Sequence, residues 1–292
     1  MTLSIISINH KKPQQGILCM AALWKNYQVE FEKNVFEFIL VDNFSQDDSI
    51  SILEKEIIKY KNFTLLENNS DAGFGAGNNF AVKKAKGEYI LFLNDDTTIE
   101  DDGIRKMLTY IQDHPEIGVL GGRILNLDGT DQPSTGKFYS LFTFTLFILG
   151  LQRFGFVDKN PSQIKEVDWI KGALFMIKKD VFEKIGRFDE KIWMYTEDME
   201  LCYRIKKAGL KCVYFHDITL KHKHQGSTNR AFAIIHIYKY LPYFYKKHKT
   251  SFEYQYVKFL LRTKALSLIV IGKILKNSYL YETYLKAFKN VQ

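Results

Sequence analysis

Proline and cysteine are scarce in this chain, with 5 and 3 residues among 292. The three cysteines, Cys19, Cys202 and Cys212, are odd in number and lack metal-site spacing; a reducing compartment and a role as small buried apolar residues fit them. Long apolar runs are also missing. A bilayer-spanning helix takes about 20 apolar residues. FYSLFTFTLFILGL at 138–151 is too short, and ALSLIVIG at 265–272 is hemmed by Lys264 and Lys273. The start of the chain carries no basic leader, and Leu3 to Ile8, too short for a signal-peptide core, reads as a strand. What is lacking in the first 245 residues is charge of either sign in excess. They hold 31 basic and 31 acidic groups, so the net charge of +8 resides in 246–292, where ten Lys and Arg face only Glu253 and Glu282. A domain-wide nucleic-acid footprint is thereby excluded.

What is present is an alternation of buried-type strands and helices. Continuous apolar runs at 3–9 (LSIISIN), 36–43 (FEFILVDN), 63–67 (FTLLE), 89–93 (YILFL) and 117–125 read as strands covered on both faces. Helices are expected over Gln14–Lys25, from the capping residues Ser45–Asp48 to Tyr60, over Asn78–Lys86, and from Asp101 to Asp113. This order predicts an α/β fold with a mostly parallel sheet. The segment 138–151 reads as a core helix, with an apolar wall beside a cleft as the alternative. Residues 167–177 read as a strand interrupted at Gly172, where backbone can approach a ligand closely.

Right-handed crossovers would bring Asn9, Asp42 and Asp96 to one sheet edge, the carboxyl edge where ligand-binding groups collect. Asp95 and Asp96 follow a buried strand directly, and adjacent carboxylates there repel unless a cation joins them. The bland alternative is that they open a helix. Thr196 is placed to cap a helix whose first turn holds Glu197, Asp198 and Glu200, again ordinary chemistry at a helix start. His222 and His224 alternate on a strand, so only one of them would reach a shared site.

Taken in order, LSIISIN, FILVDNFSQDDS, NNSDAGFGAGNNFAVKKAKGEYILFLNDDT, GVLGGRIL, VDWIKGALFMIKKDVFEKIGRFDE, YTEDMELCYRIKKAG and HKHQGST resemble the family 2 inverting glycosyltransferases, in particular the rhamnosyltransferase-like branch. The resemblance covers most of residues 3–228. It implies a GT-A fold over 1–245, a Rossmann-like α/β arrangement that binds a nucleotide-diphosphate sugar, followed by a basic helical extension over 246–292. It also implies that Asp42 contacts the nucleotide base, with Asn9 and His10 beside it; His10 stands where Tyr is commoner. The Asn69–Asn78 loop, including Gly73, would close over the nucleotide. Asp96 would hold Mg²⁺ or Mn²⁺ against the diphosphate, Asp95, where the branch often has Pro, would lie nearer the ribose, and His222 rather than His224 would complete the metal site. Asp198 would be the general base, Glu197 would orient the acceptor or support the helix start, and Trp169 and Gly172 would line the sugar and acceptor side. A donor such as dTDP-rhamnose, a glycan or lipid-linked glycan acceptor and work in bacterial surface polysaccharide synthesis follow by the same resemblance, in the cytoplasm or on the inner face of its membrane.

Three other readings compete. The glycines at 73–77 suggest a dinucleotide-binding dehydrogenase, but they follow the third strand, and Asn78 takes the third glycine's place. A sugar-phosphate nucleotidyltransferase would also use a nucleotide edge and metal-binding acids. A non-catalytic membrane-surface protein that binds sugar nucleotides would account for the tail, whose basic residues interleave with Tyr, Phe, Leu and Ile and suit an anionic membrane surface. A helical cap with solvated lysines accounts for the same tail.

Overall fold

The computed structural model describes residues 1–99, 102–138, 140–148, 160–222 and 230–291. These divide into two compact units. The first takes in 1–137, 160–193 and 197–222 of the described residues, and the second 138–148, 194–196 and 230–291. The second unit thus begins ahead of the 245/246 boundary read from charge.

The first unit opens with β1 (Leu3–Asn9), α1 (Pro13–Glu32), β2 (Phe36–Asn43), α2 (Ser49–Ile57), β3 (Phe63–Asn68), α3 (Gly73–Val82) and β4 (Tyr89–Leu93). It continues with β5 (Thr97–Ile99), α4 (Gly103–Asp113), β6 (Ile117–Leu125), β7 (Asp131–Gln132) and β8 (Thr135–Gly136). After α5 of the second unit (Leu141–Ile148) come β9 (Lys165–Val167), β10 (Trp169–Ile170), β11 (Leu174–Lys178), α6 (Lys179–Ile185), α7 (Glu197–Lys207) and β12 (Lys211–His222).

The main sheet runs β3-β2-β1-β4-β11-β6-β12-β5. β1 to β4 are mutually parallel, β11 is antiparallel to β4 and β6, and β12 is parallel to β6. The continuous apolar runs have the expected cause: every residue of β2 and β4 is buried. Helix α1 extends to Glu32 rather than Lys25, because Tyr27 and Phe31 continue its buried stripe. Phe31, Trp24, Tyr60 and Phe63 then form one aromatic cluster with centroids 4.6–6.1 Å apart, a spacing at which ring pairs add to area burial.

This topology positions a site. From β1 the chain moves outward to β2 and β3, then returns to β4 on the other side of β1. That reversal marks the carboxyl ends of β1 and β4 as the usual ligand position in such sheets. Asn9 ends β1, and Asn94 follows β4. β11 returns antiparallel with Leu174 opposite Leu93, which brings Gly172 to the same edge. β12 is irregular between Phe215 and Thr219 and then pairs with β5, so that His222 lies opposite Thr97.

In the second unit, α8 (Arg230–His248), α9 (Ser251–Ile274) and α10 (Ser278–Asn290) pack on one another, and α5 packs on α9. A capping box starts α9: Glu253 N donates to Thr250 Oγ1 (3.2 Å) and Thr250 N donates to Glu253 Oε2 (2.9 Å). Of the segment 138–151, the described part includes α5, where Phe144 and Ile148 are buried and Phe142 is exposed. No described helix is long and apolar enough to cross a membrane.

Candidate active site

The parallel register of β1, β2 and β3 aligns Asn9 with Asp42 and Asn43 with Asn68. Asp42 is buried, and its Oδ1 accepts from Asn9 Nδ2 (2.7 Å) and Ser45 Oγ (2.5 Å). Its Oδ2 accepts from Ser45 N (3.2 Å). A carboxylate held by three donors keeps one orientation at the end of β2. His10 is exposed, and its Nδ1 stands 3.0 Å from the Asn43 carbonyl oxygen.

Asn43 links this edge to the glycine segment. Its Oδ1 accepts from Asn68 Nδ2 (2.6 Å), and its Nδ2 donates to the Gly73 carbonyl (3.2 Å). Asn68, not the exposed Asn69, belongs to this network. The glycines also differ from expectation, since Gly73–Gly77 form the first turns of α3 rather than a loop, and the helix does not wait for Asn78. Close packing explains it. A Cβ on Gly75 would stand 3.0 Å from Phe188 Cβ, and one on Gly77 would stand 2.9 Å from Asn43 Oδ1. Gly73 has φ +80°, and a Cβ there would fall 1.9 Å from the Trp193 carbonyl oxygen. Asn78 is buried and donates to the Phe74 carbonyl within α3 (2.9 Å).

At the end of β4, Asp95 Oδ2 and Asp96 Oδ1 are buried and accept no hydrogen bond among the described residues. Burial, with Asp96 beside it, holds the Asp95 carboxyl well above the usual carboxylate range. His222 Nε2 lies 3.1 Å from Asp96 Oδ1, the two side chains being 16% and 7% exposed. Gln132, at the end of β7, fixes that imidazole. Its Nε2 donates to the His222 carbonyl (2.9 Å), which can only accept, so its Oε1 faces His222 Nδ1 (3.0 Å). In the neutral ring Nδ1 then carries the proton, which leaves the Nε2 lone pair to face Asn94 Nδ2 (3.3 Å) and Asp96. An imidazole lone pair opposed to an unpartnered carboxylate oxygen is a donor set suited to a divalent cation. No group of three His, Cys, Asp or Glu side chains with that capacity exists among the described residues. His224 lies outside the described residues.

The second carboxylate pair opens α7. Asp198 is half-buried; its Oδ2 accepts from Gly172 N (3.1 Å) and its Oδ1 from Met199 N (2.7 Å). Burial raises its pKa, against the pull of these two amides and of Lys171. Glu197 is buried, its Oε2 has no hydrogen-bond partner among the described residues, and burial together with Asp198 drives its pKa well up. Thr196 has φ +81°, outside the extended backbone usual at a helix cap. Farther along α7, buried Glu200 receives Arg204 Nε (3.0 Å), while Arg204 Nη2 also donates to the Arg187 carbonyl (2.6 Å). This anchors the helix behind the carboxylates.

The structure therefore brings Asn9 to Asp42, Asp96 to His222, and Gly172 to Asp198. Trp169 is half-buried in β10, with Nε1 3.3 Å from the Lys137 carbonyl. Gln132, Asn43 and Asn68 were not singled out by sequence, and Ser45 was read only as a capping residue. Of these, Asn43 and Asn68 could have been read from strand alternation, whereas nothing local marks Gln132.

Residues 18–186, more than half of the chain, match the family model described as glycosyl transferase family 2, and the chain belongs to that family. It is 28% identical over 218 residues to the low-salt glycan biosynthesis hexosyltransferase Agl10 of Haloferax volcanii, covering 71% of this chain and 62% of that protein. Identity is 26% over 215 residues with the N-acetylglucosaminyl-diphospho-decaprenol L-rhamnosyltransferase of Mycobacterium tuberculosis, covering 66% and 68%. The chain thus spans less than two thirds of the Haloferax protein. Among solved structures, the mannosyltransferase PcManGT from Pyrobaculum calidifontis in complex with GDP-Man and Mn²⁺ has a TM-score of 0.62 at 14% identity, over 99% of this chain and 86% of that one. That likeness is one of fold, and the fold is GT-A.

Proposed function

We propose that this chain is a metal-dependent inverting glycosyltransferase that moves a sugar from a nucleotide-diphosphate donor to a hydroxyl of a glycan or lipid-linked glycan. The observation that carries the proposal is the Asp96–His222 pair at the topological switch point, a buried carboxylate oxygen without a hydrogen bond facing an imidazole nitrogen. Asp42, held by Asn9 and Ser45, would receive the base, with His10 at its rim. Asp95 would lie toward the ribose, and Gly73, Asn78 and Asn69 would border the nucleotide. Asp96 and His222 would hold Mg²⁺ or Mn²⁺, which supplies charge neutralisation on the departing diphosphate.

Asp198 is assigned as general base. Two backbone amides orient its carboxylate, and burial raises its affinity for a proton toward the range useful near neutral pH. It takes the proton of the acceptor hydroxyl as that oxygen bonds to the anomeric carbon. The bond from that carbon to the diphosphate breaks in the same displacement, the diphosphate leaves with the electron pair, and configuration inverts without a covalent enzyme intermediate. Trp169, Gly172 and Glu197 would border the sugar and acceptor.

The L-rhamnosyltransferase similarity supports dTDP-rhamnose as the first donor to test, UDP-sugars as the second, and a lipid-linked glycan of bacterial surface polysaccharide as acceptor. The Mn²⁺ in the mannosyltransferase complex supports the metal. Such a reaction belongs in the cytoplasm or at the inner face of its membrane. The test is identification of the nucleotide product: a glycosyltransferase releases nucleoside diphosphate from a nucleotide-sugar. A sugar-phosphate nucleotidyltransferase would instead release pyrophosphate from a nucleoside triphosphate, and a non-catalytic binding protein would release neither.

A further inference from the structure

Helix α9 is apolar on two opposite sides. One side is the seam Val257, Leu261, Ala265 and Gly272, all buried within the second unit. A Cβ on Gly272 would fall 2.7 Å from Tyr281 N, so this seam is where α10 packs closely. At about 100° per residue, Phe252, Phe259, Leu266, Val270 and Ile274 fall on the side opposite that seam. All five are exposed, Phe252 by 70%, Phe259 by 64% and Ile274 by 73%. The stripe runs about 33 Å along the helix at 1.5 Å per residue. A helix that packs by one side ordinarily carries polar residues on the other, so this outer stripe needs an occupant.

We infer that the outer stripe of α9 seats the second unit on an anionic lipid bilayer surface. Two observations choose that occupant. The first is charge. Residues 246–292 carry the chain's whole net charge of +8, and Lys273 and Lys276 stand exposed beside Ile274 and Leu275 at the helix end. One of the tail's two acids, Glu253, is committed to the capping box. Basic residues flanking an interfacial helix attract anionic headgroups. The second is hydroxyl chemistry. Thr263 and Ser267 interrupt the apolar stripe, and both are exposed. Yet Thr263 Oγ1 donates to the Phe259 carbonyl (2.9 Å) and Ser267 Oγ to the Thr263 carbonyl (3.0 Å). Both hydroxyls are therefore satisfied within the helix and need no water, as suits a surface that enters a headgroup layer. Tyr279 and Tyr281, exposed near the start of α10, add amphipathic rings of the kind enriched at membrane interfaces. A helix of this kind lies in the interface without spanning it.

The inference does not depend on the donor or acceptor proposed above. The test is cosedimentation of the full chain with vesicles of phosphatidylcholine alone and of phosphatidylcholine with phosphatidylglycerol. Binding is expected to the anionic vesicles only, and to weaken as salt rises. Phe259→Asp combined with Val270→Asp should lower partitioning at least about tenfold. Lys273→Glu with Lys276→Glu, which leaves the apolar stripe and the packing seam intact, should lower it comparably on anionic vesicles. Melting curves like the parent's establish that each variant is folded. Pelleting unchanged in both folded variants, or equal with neutral and anionic vesicles, overturns the inference. So does a concentration-dependent dimer, seen by light scattering, that the aspartate variant abolishes while vesicle binding is absent; that result assigns the stripe to a second copy of the chain.

Discussion

His222 Nε2 lies 3.1 Å from Asp96 Oδ1 across the pairing of β12 with β5. Neither residue places the other locally. Asp96 follows a buried strand near the start of the sheet, and His222 ends the last strand, after the irregularity at Phe215–Thr219. What makes the pair chemically useful is Gln132, which holds the His222 backbone and ring with opposite ends of one amide.

Replacing Gln132 with Leu should therefore weaken metal-dependent donor binding by about 10- to 100-fold, the usual cost of losing a group that orients a metal ligand. Gln132→Glu retains an acceptor for His222 Nδ1 and should recover part of that loss. Titration of Mn²⁺ at fixed nucleotide-sugar, read by thermal shift, separates the two.

Asp198→Asn should lower transfer by about 10²–10⁴-fold, the range of a positioned acid or base, while donor affinity stays near that of the parent. In the parent, the rate should fall as pH drops through the pKa of Asp198, because only the carboxylate accepts the acceptor's proton. Burial sets that fall above the ordinary carboxylate range. A pH profile of transfer at saturating donor reads it directly.

Glu197 supplies a stability test. Its folded-state pKa is raised, so its contribution is fully present below the unfolded value and is lost as pH rises through the folded one. Glu197→Gln removes that loss. The variant should therefore melt higher than the parent near neutral pH, with the gain shrinking as pH is lowered. Paired melting curves across pH check the slope.

At Gly73, any side chain meets the Trp193 carbonyl, and φ is +80°. Gly73→Ala should cost at least about 1–3 kcal/mol, the scale of backbone strain at such a position, measured by denaturant unfolding. The effect should exceed that of Gly129→Ala, where φ is also positive but no atom lies within 4 Å.

The strands of the first unit were legible because apolar runs such as FILVD have no other reading when both faces are buried. Parallel pairing then aligned Asn9 with Asp42 as expected. The glycines of α3 misled because their composition signals a loop, whereas the helix needs small residues where it meets Asn43 and Phe188. The resemblance points to the segment from Asn69 onward, whereas the β2–β3 register puts Asn68 beside Asn43. Gln132 sits in a turn-rich stretch, and its value arises only when β7 pairs with β6 and reaches β12. Long-range pairing of that kind leaves no local periodicity.

The most direct measurement is donor binding to the parent, Asp96→Ala and Asp198→Asn, with and without Mn²⁺, followed by thermal shift over dTDP-rhamnose and UDP-sugars. One nucleotide-sugar should stabilise the parent and Asp198→Asn only when the metal is present, and Asp96→Ala should lose that metal-dependent part. Equal stabilisation of Asp96→Ala and the parent, or donor binding indifferent to metal in all three proteins, would contradict a metal and diphosphate site at Asp96.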